Sequence, residues 1–285
     1  MKHARIAIGM PVRNGGEGLR SVLESLLTQT FTDFMLLISD NASTDQTEQI
    51  CREYAASDPR IVYVRQPRNI GGEGNFRYVF NVTDSDYFMW AAADDLRSSD
   101  FLHINFEFLD RHPEYVASTS PVRFKERDFD EIVMGDAKLA DDDRFERVLR
   151  VFEVWHANGR FYSLYRRDSL AAWIESDWGF LGADWTLVTQ LSMLGKFNRT
   201  EGGWVALGVR GVSNSNRIFS LNRRSWLDFF VPFRTLAIDT WGLMSGASAK
   251  QKLTLAGRLA RLNLQAFVRQ FVVILQRRRR LDKPV

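Results

Sequence analysis

Through the first hundred residues, short apolar runs alternate with stretches whose hydrophobic positions recur every three or four residues. Ile6 to Met10 is apolar with little alternation and stops at Pro11, as a strand buried on both faces does before a loop. The loop Pro11 to Gly16 follows, and Glu17 to Thr28 carries Leu19, Val22, Leu23, Leu26 and Leu27 at helical spacing. Phe34 to Ser39 reads as a second strand ending at Asp40-Asn41-Ala42-Ser43, with Ser43 or Thr44 placed to cap a helix from about Asp45 to Ala56. Ile61 to Val64 is a third strand, Asn69 to Asn75 a glycine-rich segment, Phe76 to Val82 a helix, and Tyr87 to Ala92 a fourth strand leading to Asp94-Asp95. This alternation predicts an α/β fold on a mixed, mostly parallel sheet flanked by helices. Such sheets bind ligands beyond the carboxyl ends of their strands, which is where Asn14, Asp40 and Asp94-Asp95 fall.

The middle of the chain is less regular. Helices are expected over Phe101 to Arg111, Phe145 to Trp155, Asp168 to Ile174 and Asp184 to Leu194, and strands over Val116 to Phe124, Tyr162 to Tyr165 and Trp204 to Val209. Asp128 to Asp143 reads as an acidic loop, and beyond Ser225 the pattern is mainly helical. The expected division is an α/β domain over 1–220 and a basic helical extension over 221–285.

Composition narrows the function classes. At 45% hydrophobic over 285 residues the chain can bury a sizeable core, and 26% charged residues argue against global disorder. A lone cysteine, Cys51, excludes an intramolecular disulfide framework, and His3, His103, His112 and His156 form no spaced metal motif. Met1 to Arg5 lead straight into Ile6-Ala7-Ile8 without a signal-peptide pattern, so a cytoplasmic location is expected. The net charge of +3 is unevenly spread: 28 basic and 34 acidic residues precede Lys250, and ten basic residues and one acid follow from there. The basicity belongs to the tail, so no nucleic-acid partner is expected.

Five ordered motifs carry a family resemblance. Ile6-Ala7-Ile8-Gly9-Met10-Pro11-Val12-Arg13-Asn14, the segment Leu23 to Phe34, Ile38 to Asp45, Asn69-Ile70-Gly71 with Asn75, and Ala93-Asp94-Asp95 together resemble the family 2 inverting glycosyltransferases of the GT-A fold. The likeness is strong over 4–105 and weak to about Ser215. It implies transfer of a sugar from a nucleotide-diphosphate donor, with UDP favoured, to a saccharide or lipid-linked hydroxyl acceptor, in polysaccharide, glycolipid or lipopolysaccharide synthesis. A divalent Mn²⁺ or Mg²⁺ ion is implied as cofactor, because hard cations prefer carboxylate and phosphate oxygens.

The same resemblance implies the site residues. Asp94 and Asp95 would hold the metal or the donor; an acidic helix N-cap is the plainer role for such a pair. Ala92 stands where many relatives carry a further Asp, which leaves the division of labour within the pair open. Asp40 would accept a hydrogen bond from the base, against an ordinary Asx turn. Pro11, Val12, Asn14 and Asn75 would line that pocket, and Arg68 would steady the diphosphate or stay a surface arginine. Asp184, after Leu181-Gly182-Ala183, would be the general base, with an N-cap as its alternative and Ala183 in place of the usual Glu. Trp178, Trp185 and Trp204 offer sugar platforms or core packing. Arg210 and Ser213 fall in a loop that closes on the diphosphate in relatives.

Lys250 to Gln276 suits one long helix, with Arg258, Arg261, Gln265, Arg269 and Gln276 on one side. Leu255, Leu259, Leu262, Ala266, Phe267, Phe271 and Ile274 spread over the other, and Arg277 to Arg280 follow. This pattern suits a helix lying on anionic lipid, which would place the protein at the inner face of the cell membrane. Packing on the catalytic domain or in a homo-oligomer is the alternative. Two other functions share the motifs: a degenerate sugar-nucleotide-binding partner, which Ala92 and Ala183 favour, and a sugar-phosphate nucleotidyltransferase, for which Gly15-Gly16-Glu17-Gly18 is a poor activating loop.

Overall fold

The computed structural model describes residues 4–208 and 218–281, with side chains as far as 273. The chain divides into two compact units. The first takes the chain up to Ala140, His156–Ser176 and Leu194 to 208; the second takes Asp141–Trp155, Asp177–Met193 and the described residues from 218 onward.

In chain order the elements begin with β1 (Ile6–Val12), α1 (Gly18–Leu27), β2 (Phe34–Asp40), α2 (Thr47–Ser57), β3 (Ile61–Arg65), α3 (Gly71–Asn81) and β4 (Tyr87–Trp90). There follow β5 (Leu96–Arg97), α4 (Phe101–Arg111), β6 (Tyr115–Thr119), β7 (Val122–Phe124), α5 (Glu131–Met134) and α6 (Arg144–Val151). Then come β8 (Leu164–Arg166), α7 (Ala171–Ile174), α8 (Ala183–Leu194), β9 (Lys196–Arg199) and β10 (Val205–Leu207). The chain closes with α9 (Ile218–Leu221), α10 (Leu227–Phe230), α11 (Arg234–Leu243) and α12 (Ala249–Leu281).

The first unit is built on a sheet ordered β3-β2-β1-β4-β8-β6-β9. β3, β2, β1 and β4 run parallel, β8 is antiparallel to both its neighbours, and β6 and β9 are parallel. The mostly parallel sheet is the one the alternating pattern predicts. β2 is buried at every position and β1 at all but Pro11, which is why both read as unbroken apolar runs. α1 turns Leu19, Val22, Leu23 and Leu26 into the core at full burial. α3 packs on β1 and β2 and comes so close at Gly9 that a β-carbon there would stand 2.7 Å from both Phe88 Cζ and Val79 Cγ2. Gly9→Ala is therefore expected to destabilise the protein by about 1–3 kcal/mol through overpacking. A calorimetric melt coinciding with that of the parent would refute this.

Several expected boundaries are corrected. The single strand read over Val116 to Phe124 is two, β6 and β7, which part at Ser120-Pro121 and join different sheets. The glycine-rich segment is the first turn of α3, which opens at Gly71, with the Gly71 amide donating to Asn69 Oδ1 at 3.0 Å. The acidic stretch holds a short helix, α5, because the Asp130 carboxylate accepts from the Ile132 and Val133 amides. The helix expected to reach Trp155 ends at Val151, and the strand expected from Tyr162 begins at Leu164, after a 3-10 turn over Gly159–Tyr162. Two short strands, β5 and β9, were not legible as periodic runs.

In the second unit α12 packs on α6, α10 and α11. Leu255, Leu259, Leu262 and Ala266 are buried, so most of the stripe expected to meet lipid is consumed by packing. Among the described residues, no helix is long and apolar enough to cross a membrane.

Candidate functional site

β1 lies between β2 and β4, and the connections leaving it run in opposite senses, first outward to β2 and β3 and then back to β4. The carboxyl ends of β1 and β4 thus form a switch point, the place where open α/β sheets leave a crevice. Val12 pairs with Asp40 and Gly9 with Trp90, so the loops carrying Asn14, Asp40 and Asp94 leave one edge of the sheet. The sequence placed these residues at strand ends, and the register brings the ends together.

The first two loops are stapled to each other. The amides of Asn14, Gly15 and Gly16 donate to Ser43 Oγ, Thr47 Oγ1 and Asp45 Oδ2 at 2.9, 2.9 and 3.0 Å. Asn14 Oδ1 accepts from the Thr44 amide at 2.9 Å, with Asn14 in the left-handed region at φ 54°. Val12 is buried, Pro11 half-buried, and Asn14 and Arg68 exposed.

Asp40 is fully buried, and both its oxygens are engaged. Oδ1 accepts from the Ser43 amide at 2.8 Å, the Asx turn that the residue types alone allow. Oδ2 accepts from Tyr63 Oη and Arg65 Nη1, each at 2.8 Å. Burial and this hydrogen bond to Asp40 raise the Tyr63 hydroxyl pKa. Asn75 is also interior, at 2% exposure: its Oδ1 accepts from Ser39 Oγ at 2.6 Å and its Nδ2 donates to the Ser39 carbonyl at 2.8 Å. Asn75 therefore ties α3 to the end of β2 and faces no open surface.

The acidic pair is arranged asymmetrically by a second sheet, ordered β5-β10-β7. β5 follows Asp95 directly, Lys125 follows β7, and Gly208 follows β10, so this sheet gathers all four residues. Asp94 is half-buried, and its carbonyl accepts from Lys125 Nζ at 2.6 Å. Its carboxylate lies so close over Gly208 that a β-carbon on that residue would overlap Oδ2. Asp95 is only 2% exposed; Oδ1 accepts from the Gly208 amide at 2.9 Å and Oδ2 has no hydrogen-bond partner. Burial pushes the Asp95 carboxyl up to about 7, against the opposing charge of Arg97. Arg97 is itself 2% exposed and donates from Nη2 to the Trp90 carbonyl at 3.1 Å.

These residues fit a hard divalent cation that arrives with its substrate. The donors are carboxylate oxygens only, one of them buried and unpartnered. Among the described residues no group of three or more His, Cys, Asp or Glu could enclose a metal ion. Phosphate oxygens and water would have to complete the shell.

Asp184, Trp178 and Trp185 lie in the second unit. Gly182, left-handed at φ 91°, opens α8 and accepts at its carbonyl from the Trp185 and Thr186 amides, which puts the half-buried Asp184 in the first helical turn. Trp178 is half-buried. Trp185 is 5% exposed, with ring centroids 5.7 Å from Phe152 and 6.1 Å from Phe233, so its indole is core. Trp204, in the first unit, is half-buried with Arg123 over its ring. Arg210 and Ser213 lie outside the described residues.

Sequence reasoning missed Lys125, Gly208, Arg97 and Arg65. Nothing local marks the first two, whereas Arg65 and Arg97, each following a strand or acid at this edge, could have been suspected from charge alone.

A model of glycosyl transferase family 2 matches residues 7–173. Glycosyltransferase GlyA of Streptococcus pneumoniae is 25% identical over 67% of this chain and 28% of its own length. The chain spans only about a third of the first curated relatives it matches. In fold, TarS 1-349 of S. aureus superposes with a TM-score of 0.64 at 15% identity, over 90% of this chain and 70% of that one. The mannosyltransferase PcManGT of Pyrobaculum calidifontis, solved with GDP-Man and Mn²⁺, gives 0.56 at 14% identity over 96% and 91%. The architecture is of the GT-A type. With the family model covering more than half of its length, this chain belongs to glycosyl transferase family 2.

Proposed function

We propose that the protein is a metal-dependent inverting glycosyltransferase that moves a sugar from a nucleotide-diphosphate donor, UDP favoured, to a saccharide or lipid-linked hydroxyl. Polysaccharide, glycolipid or lipopolysaccharide synthesis is the proposed setting, on the cytoplasmic side of the membrane, with residues 1–220 as the transferase part and 221–285 as a basic extension. The observation that carries the reading is the half-buried Asp94 carboxylate at the β1/β4 switch point, seated on Gly208 and next to Lys125. TarS has been solved with UDP-GlcNAc and PcManGT with GDP-Man and Mn²⁺, which supports a nucleotide-sugar donor.

In this reading the accessible Asp94 faces the cation, which when bound would offset the charge that grows on the leaving diphosphate, and the buried Asp95 lends negative charge from behind it. Lys125 and Arg68 add positive charge for the phosphates. Pro11, Val12 and Asn14 form the wall against the nucleoside, and Asn75 holds that wall from beneath. Asp40 reaches the base N–H only after Arg65 releases Oδ2, so the two act as a pair. Asp184 takes the acceptor proton as the hydroxyl attacks the anomeric carbon, which suits a carboxylate in a first helical turn. Trp178 is the retained sugar platform.

A panel of UDP-, GDP- and dTDP-sugars, scored by melting temperature with and without Mn²⁺, tests the reading. A ligand that binds the native state raises its melting point. The expected result is a shift that appears only with metal, together with donor turnover that Asp184→Ala abolishes. A metal-independent shift with no turnover in either protein would leave a sugar-nucleotide-binding partner instead.

A further inference from the structure

α12 is apolar on two opposite sides. Leu255, Leu259, Leu262 and Ala266 face inward at 6% exposure or less. About half a turn away, Leu264, Val268 and Phe271 stand 63, 52 and 48% exposed. That second stripe continues off the helix through ring contacts. Phe271 lies 6.1 Å from Phe267, Phe267 stacks 6.1 Å from Phe230, and Phe230 lies 6.3 Å from Trp226. Phe230 is 56% exposed and Trp226 73% exposed, so the second unit carries a continuous aromatic ridge in contact with water.

The charge around this ridge restricts what can cover it. From Ala249 to Leu281 the helix carries nine Lys and Arg and no acid. Arg261 and Arg269 are exposed, and the run Arg277 to Arg280 follows the stripe in sequence. A second copy is a poor occupant. Parallel pairing of two such helices sets the arginine runs side by side, and antiparallel pairing sets each against Lys250 and Lys252 of the other. The matching surface must be negatively charged with an apolar layer directly beneath, and an anionic bilayer offers both. Trp and Phe suit that boundary because their rings settle at headgroup level.

We propose that the ridge Trp226–Phe230–Phe267–Phe271 docks the protein on an anionic lipid bilayer, with α12 lying along the interface. The lipid side keeps Phe267 and Phe271 from the sector read from the sequence, whose leucines are spent on packing, and adds Leu264 and Val268 from beyond it. The inference is independent of the sugar-transfer reading.

Sedimentation of the full chain with phosphatidylcholine vesicles, with and without phosphatidylglycerol, tests it. Binding is expected only to the phosphatidylglycerol vesicles, and added salt should weaken it. The double variant Trp226→Ser/Phe230→Ser should bind at least about tenfold more weakly, with its melting temperature lowered only slightly, because both side chains are exposed and only the ring contacts of Phe230 are lost. Leu264→Ser, outside the ring contacts, should give a smaller loss of the same sign. The proposal falls if phosphatidylglycerol vesicles sediment no protein, or if the double variant binds as the parent does. It also falls if light scattering shows a lipid-free dimer that the double variant breaks into monomers, which would assign the ridge to a second copy.

Discussion

Asp94→Asn is expected to lower metal-dependent donor turnover by about a hundred- to a thousandfold, the usual loss when one preorganised charge at a developing anion is removed. Asn keeps the shape, and Asp94 is half-buried with its carbonyl, not its carboxylate, bound to Lys125, so melting should be nearly unchanged. Gly208→Ala sharpens the test because it removes no ligand. Its β-carbon must displace the Asp94 carboxylate, and a misplacement of about 1 Å at a reacting centre can cost on the order of a hundredfold. Both variants should need more Mn²⁺ for half-maximal rate. Full activity in Gly208→Ala with Asp94 shown to be essential would mean that the orientation seen over Gly208 is not the working one.

The largest expected effect on stability is at two buried groups of opposite charge, Asp95 and Arg97, which feel each other's charge without a hydrogen bond between them. Asp95→Ala leaves the Arg97 guanidinium interior and unopposed, and an arginine cannot shed its charge. Leaving a buried charge without its compensating neighbour costs about 2–3 kcal/mol here, less than breaking a hydrogen-bonded pair would. Arg97→Met should cost less, about 1–2 kcal/mol, because Asp95 can take up a proton once its neighbour is gone. The pH dependence follows from the same group. Asp95 titrates at about 7 in the fold against 3.8 in the open chain, so the folded state is the stronger proton binder between those values. Its contribution is most favourable below about pH 4, declines as pH rises, and levels off above about pH 7. Asp95→Asn should lack that decline. Melting curves across this range decide the matter: equal losses in Asp95→Ala and Arg97→Met, or an unchanged pH slope in Asp95→Asn, would falsify the account.

Particular residues show how far the sequence could be read. Asp40, Asp94 and Asp95 were legible as strand-end acids, because a strand buried on both faces announces its end where the apolar run meets a polar cluster. Their different fates were not. Asp40 lost its open face to Tyr63 and Arg65, which lie 23 and 25 residues away in the chain. Asp95 turned inward to an amide 113 residues away. Trp185 could be platform or core on its residue type, and packing against Phe152 and Phe233 decided for core.

The sequence by itself determined the alternating strands and helices of the first hundred residues, the mostly parallel sheet, and the edge at which the acids gather. Periodicity and strand-end chemistry are local properties, so they survive translation into one dimension. Only the tertiary structure decided which acid stays accessible, that Gly208 and Lys125 belong beside it, and that α12 has two apolar sides with different uses. Those outcomes depend on desolvation and on pairings between distant segments, and a burial pattern formed by several elements at once is written in none of them singly.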